Sequence, residues 1–124
     1  MVSLMASKDE SPTMVLVVRE DLAMSPGKVA VQCGHGAVEV ALSARKRSTR
    51  MFEAWREGGS RKIALRVPDE AALNELRDRL SYGILHHTVT DAGRTEVAAG
   101  TVTVMALLGP RHAVDAVVHD FETY

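Results

Sequence analysis

The chain is short of cysteine, aromatic residues and proline. One cysteine, Cys33, in 124 residues excludes an intrachain disulfide and fits a reducing compartment. Aromatic residues make up 4%, so Val, Leu, Ala and Met must build the core. No apolar run approaches the roughly 18 residues that a membrane-spanning helix needs. Residues 1–13 lack the apolar stretch of a secretory signal, and Asp9 and Glu10 argue against an organelle signal. They read as a flexible tail or start-site extension. Neither sign of charge dominates: 15 Lys and Arg stand against 16 Asp and Glu, for a net charge of −1. A uniformly basic surface is therefore excluded, and any contact with nucleic acid must use a local patch.

Hydrophobic residues reach 46%, ample for one core over residues 14–124. Met14 to Arg19 is a continuous apolar run and reads as a central strand buried on both faces. Ser25 is a good helix N-cap and Pro26 a good first helical residue, opening a helix to about Arg45. Lys46 to Arg50 reads as a basic connection, and Met51 to Glu57 as a short helix stopped by Gly58-Gly59. Lys62 to Val67 is a second strand. Pro68-Asp69-Glu70 opens a helix with Leu73, Leu76 and Leu80 on one face, for which Gly83 would be the C′ residue. Ile84 to Thr90 and Thr101 to Leu108 complete four strands. Gly109-Pro110 breaks the last and starts a helix to about Asp120. The order β-α-α-β-α-β-β-α, with near-continuous apolar strands, predicts an α/β three-layer sandwich on a mixed sheet.

Two polar segments stand out. In the first helix, Lys28, Gln32 and His35 fall within about 60° of one another. The rest of its circumference is mostly apolar, so the polar stripe is narrow. A cation near the third helical position opposes the helix dipole at a cost of about 0.3–1 kcal/mol unless an anion compensates. Lys28 therefore either snorkels to water or aims at a carboxylate or phosphate. Cys33 and His35 are two residues apart on a helix and point to nearly opposite sides, so Cys33 reads as a packing residue.

The second segment is Asp91-Ala92-Gly93-Arg94-Thr95, followed by Gly100-Thr101. Asp91 ends a strand, where sites of α/β sheets collect. It is equally the residue of a turn in which an aspartate bonds its own backbone. Gly93 allows a positive φ or a close backbone approach, and Gly100 suggests a second such place. Arg94 can grip a phosphate or carboxylate with two parallel hydrogen bonds. Thr95 and Thr101 serve either as turn hydroxyls or as ligand contacts.

Together these segments, with Val15 to Arg19, Trp55 and Leu108-Gly109-Pro110, resemble the peptidyl-tRNA hydrolase 2 family over about Met14 to Tyr124. The resemblance implies a four-stranded mixed sheet flanked by about four helices, a homodimer, and a cytoplasmic enzyme without metal or organic cofactor. It implies hydrolysis of the ester between a peptide and the 3′-terminal ribose of tRNA. The family's lysine, histidine and aspartate fall on Lys28, His35 and Asp91. Its glutamine falls on Gln32 and its loop threonine on Thr95. Pro26 stands where the family often has a further lysine, Val31 where it has alanine, and Gly34 where it has serine.

On that footing, Asp91 orients or deprotonates the attacking water and Lys28 stabilises the developing charge. His35 donates a proton or orients its neighbours. Backbone amides near Gly93 and Thr95 are candidate oxyanion donors. Gln32, Arg94, Gly100 and Thr101 support or bind substrate. Arg45, Lys46, Arg47 and Arg50, with Arg61, Lys62 and Arg94, are candidate contacts for tRNA phosphates. Two rivals remain open: an inactive RNA- or protein-binding module on the same fold, and a metal-dependent hydrolase using His35, His86, His87 and Asp91. Adjacent histidines on a strand face opposite sides, which counts against the second.

Overall fold

The computed structural model describes residues 11–93 and 96–124. Five strands form one sheet: β1 (Thr13–Arg19), β2 (Lys62–Val67), β3 (Leu85–Thr90), β4 (Val102–Gly109) and β5 (Glu122–Thr123). Four helices accompany them: α1 (Pro26–Arg47), α2 (Thr49–Glu57), α3 (Glu70–Arg79) and α4 (Arg111–Val118). The spatial order is β3-β4-β1-β2-β5. Strands β1 and β2 run parallel, while β4 is antiparallel to both β1 and β3. The expected four strands are thus corrected to five. The fifth is two residues long and pairs with Leu65 and Arg66 of β2, too short to leave a periodic signal in the sequence.

Alternation along the central strands divides the core between two helical layers. Met14 and Leu16 of β1, with Ala106 and Leu108 of β4, pack against Val40, Ala44 and Trp55 from α1 and α2. Val15 and Val17, with Met105 and Leu107, pack against Leu73 and Leu76 of α3 and Val114 and Val117 of α4. Residues 13–18 are all buried, as expected of a strand covered on both faces. Thr13, read from sequence as tail, is the first residue of that strand.

Helix α1 lies closest to β3 and β4 at Gly36. A Cβ there would stand 3.1 Å from Ala106 Cβ and 3.2 Å from Val89 Cγ2, so glycine lets the helix settle onto the sheet. Three local expectations are corrected. Helix α1 runs through Lys46 to Arg47, and only Ser48 separates it from α2, so the basic stretch is helical rather than a connection. Helix α3 ends at Arg79 with Leu80 as its cap, and Gly83, at φ +107°, belongs to the following turn instead. Finally, α1 is not wrapped in core on most sides. Val29, Gln32, Gly36, Val40 and Ala44 face the sheet, while Val31, Val38 and Leu42 are about half exposed.

Candidate active site

The parallel strands β1 and β3 end on the same side of the sheet, where β4 begins and α1 presents its N-terminus. Ser25 caps α1, its hydroxyl accepting the Lys28 N–H at 3.2 Å. Pro26 follows at a position whose N–H has no helical partner to lose. This turn aims the Lys28 side chain across the end of β3 at Asp91. The Lys28 ammonium donates to Asp91 Oδ1, with the two side chains only 11% and 4% exposed.

The other carboxylate oxygen is also taken. Gly93 N–H donates to Asp91 Oδ2 at 2.6 Å. Asp91 thus makes the local turn and at the same time receives the lysine. Gly93 sits at φ +82°, and a Cβ on it would fall 2.7 Å from Ala99 Cβ and 2.8 Å from Ala99 N. Only glycine fits both conditions. The loop closes on itself through Asp91 N–H to Thr101 O (2.9 Å) and Gly100 N–H to Asp91 O (2.8 Å). Of the backbone amides near Gly93 and Thr95 considered as oxyanion donors, that of Gly93 is here bonded to the Asp91 carboxylate. Arg94 and Thr95 lie outside the described residues.

The Asp91 carboxyl is held below its usual range. The Lys28 hydrogen bond is the main cause, followed by the Gly93 amide; burial opposes them, and the charges of Lys28 and His35 add to them. His35 is solvent-exposed on α1, close enough for its charge to act on Asp91. Gln32 is buried, its amide donating to Thr103 Oγ1 at 2.7 Å. Gln32 thus lies inside the interface between α1 and the sheet rather than at the surface.

Two participants carry no local sequence signature. Thr103 reaches Gln32 because β4 holds one residue more than β3 there: Val89 pairs with Val104, and Thr90 with Val102. The bulge turns Thr103 toward α1, where alternation alone would send it to the other face. Glu96 is the second. Its carboxylate accepts from Ser25 N–H at 2.8 Å and from the Ser25 hydroxyl, tying the loop to the cap of the helix that carries Lys28. Those two bonds hold the Glu96 carboxyl below its usual range.

The remaining candidates lie elsewhere. Burial pushes the Cys33 thiol up, which suits a packing residue. Among the described residues, no three His, Cys, Asp or Glu side chains stand together as a metal ligand set. Arg45, Lys46, Arg47 and Arg50 are exposed at the opposite end of α1. Lys62 is engaged locally, bonding Ser60 O at 2.7 Å and covering the Trp55 ring.

The family model described as Peptidyl-tRNA hydrolase PTH2 matches residues 12–124. The chain belongs to this family. The probable peptidyl-tRNA hydrolase 2 of Drosophila melanogaster is 45% identical over 103 residues, 82% of this chain and 55% of that protein. The mitochondrial peptidyl-tRNA hydrolase 2 of Homo sapiens is 37% identical over 113 residues, covering 90% and 63%. The peptidyl-tRNA hydrolase of Thermococcus onnurineus is 40% identical over 105 residues, covering 83% and 89%. The chain thus spans little more than half of the fly and human relatives and most of the archaeal one. The two segments on which the family resemblance rests, Gly27-Lys28 and Asp91-Ala92-Gly93, are those that the fold joins through an ion pair.

Proposed function

We propose that this chain hydrolyses the ester joining a peptide to the 3′-terminal ribose of tRNA, releasing peptide and free tRNA. The observation that carries the proposal is the Lys28–Asp91 pair, nearly buried at the strand ends beside an exposed imidazole. In this reading a water oxygen attacks the ester carbonyl carbon, the bond to the ribose oxygen breaks, and the water's proton ends on that oxygen. A carboxylate held below its usual pKa is a weak base, so Asp91 orients the water and anchors the ammonium. Lys28 has two further N–H donors for the developing oxyanion. This takes over the role once open to the Gly93 amide. His35, exposed on α1, passes the proton to the leaving oxygen in this reading. No step calls on a metal or cofactor.

Release of peptide from a purified peptidyl-tRNA, followed with and without chelator, tests the reading. Lys28→Ala and Asp91→Asn should each lower kcat by about 10²-fold or more. Near-full activity in either variant removes that residue from the reaction, and no turnover by the parent chain favours the inactive binding module. The basic end of α1 is proposed to meet tRNA phosphates. The exposed stripe of Val31, Val38 and Leu42 supports the expected homodimer. No helix among the described residues is long and apolar enough to cross a membrane. We keep the cytoplasm as the proposed compartment, to be tested by fractionation against the mitochondrial location in the name of the human relative.

A further inference from the structure

At the far end of α1, some 19 residues or about 28 Å from Lys28, a second feature has no part in the chemistry above. A groove of about 340 Å³ lies between the end of α1 and the turn into β3, lined by Arg47, Ser48, Tyr82, Gly83, Ile84 and Leu85. Tyr82 is fully exposed, although it is one of only five aromatic residues in a chain that buries its Trp. Of the cations in this part of the chain, Arg47 lines the groove with it, while Arg45, Lys46 and Arg50 are exposed at neighbouring positions of the sequence. Among the described residues, these four cations enter none of the ion pairs that engage Arg19, Arg66, Arg79 and Arg111. On a chain of net charge −1, four exposed cations within six residues, one of them lining the groove with a bare aromatic ring, form a local field that the composition as a whole does not provide.

We propose that this groove binds the RNA body of the substrate, with the Tyr82 ring stacking on a base and the Arg47 guanidinium pairing with a phosphate. The inference rests on the hydrolase reading for the identity of the RNA. A guanidinium matches a phosphate bidentately, and a base stacks on an aromatic ring regardless of sequence. No carboxylate lines the groove to repel a phosphate or to neutralise Arg47. The groove and the Lys28–Asp91 pair are the two ends of one α1–β3 layer, because β3 runs from Leu85 beside the groove to Thr90 beside Asp91. An ester at the site does not span that length, whereas the nucleic acid attached to it does.

Binding of uncharged tRNA, measured by fluorescence anisotropy across a salt titration, tests the groove apart from the chemistry. Tyr82→Ala should weaken binding by about 5- to 150-fold with the salt slope unchanged, and Tyr82→Phe should restore it. Arg47→Ala should flatten the slope of log affinity against log salt by about 0.7–0.9. A short blocked aminoacyl ester of a 3′-terminal nucleotide, which cannot reach the groove, should be hydrolysed at the parental rate by both variants. Parental tRNA affinity in both variants overturns the proposal and turns the groove over to a protein partner. Equal loss on the short ester and on full tRNA also overturns it. Failure of the parent chain to release peptide from full-length peptidyl-tRNA strikes the hydrolase reading alone, because the anisotropy result stands without it.

Discussion

At the scale of single residues, the site is a chain of anions and donors in which each charge has its partner. Lys28 stands near the positive end of the α1 dipole, where a cation is unfavourable. Asp91 answers it at the ammonium and Glu96 answers it at the cap, through Ser25. Because Lys28 is the main cause of the low Asp91 pKa, the carbon-13 resonance of the Asp91 carboxyl should titrate below the ordinary value of about 3.9. In Lys28→Ala it should move upward. For stability the sign follows from a depressed carboxyl: the pair stabilises the fold above the unfolded pKa, and that contribution is lost as pH falls through the lower folded value. An unshifted Asp91 resonance in the parent chain would remove the ion pair from solution. Glu96 acts through Ser25 rather than on substrate, which makes it a positioning residue. Glu96→Ala should lower the thermal unfolding midpoint, because the Ser25 N–H and hydroxyl lose their acceptor, and lower kcat more than it raises KM. Glu96→Gln keeps one acceptor for the Ser25 N–H and should recover most of kcat; equal kcat in parent and Ala variants would deny Glu96 that role.

At the scale of elements, the site depends on how α1 is held against β3 and β4. The Gln32–Thr103 bond is one of the few polar contacts inside that interface, and both partners are buried. Thr103→Val should therefore cost about 1–3 kcal/mol in urea unfolding, because the Gln32 amide is left dry and unpaired. Gln32→Leu should cost less, since the Thr103 hydroxyl keeps Val89 O at 3.4 Å, and the double variant should lose less than the two singles summed. Strict additivity would mean that the bond does not form in solution. Little of this interface was legible in the sequence. Ser25 and Pro26 announced the start of α1, since a cap acts on residues two or three positions away. Gln32 was visible as part of a polar stripe, but its burial was not, because a stripe can face a sheet as well as water. Thr103 gave no signal, since a bulge depends on the pairing register of two strands rather than on either one. Glu96 lies 71 residues from Ser25, beyond any local motif. The end of α1 was missed because cations suit a helix C-terminus as well as a loop, and β5 because two residues have no period.

At the scale of the whole molecule, the central place of β1 was foreseeable, because a run buried on both faces must be central. The order β3-β4-β1-β2-β5 was not, and Asp91 follows β3, a strand at the sheet's edge. What the sequence concealed is the surface that the fold leaves over. Helix α1 spends one side on the sheet and exposes Val31, Val38 and Leu42, spaced by seven and four residues on the opposite side. In an isolated chain that stripe stays about half in water, so each side chain forgoes only part of the roughly 1.5–3 kcal/mol of full burial. The proposed occupant is a second copy of the chain, whose α1 offers the same stripe. Sedimentation equilibrium should then find the parent chain at twice the monomer mass. Val38→Asp should shift it to the monomer, because the new carboxylates would have to be desolvated in an apolar contact. An exposed position should cost the fold itself no more than about 0.5 kcal/mol, so unchanged thermal unfolding of the separated monomer distinguishes a lost interface from a lost fold. A parent chain that sediments as a monomer would refute the homodimer. A Val38→Asp variant that remains dimeric would move the interface off α1. Since the Lys28–Asp91 pair, the Glu96 clamp and His35 all lie within one chain, the separated monomer should keep its kcat on a short ester.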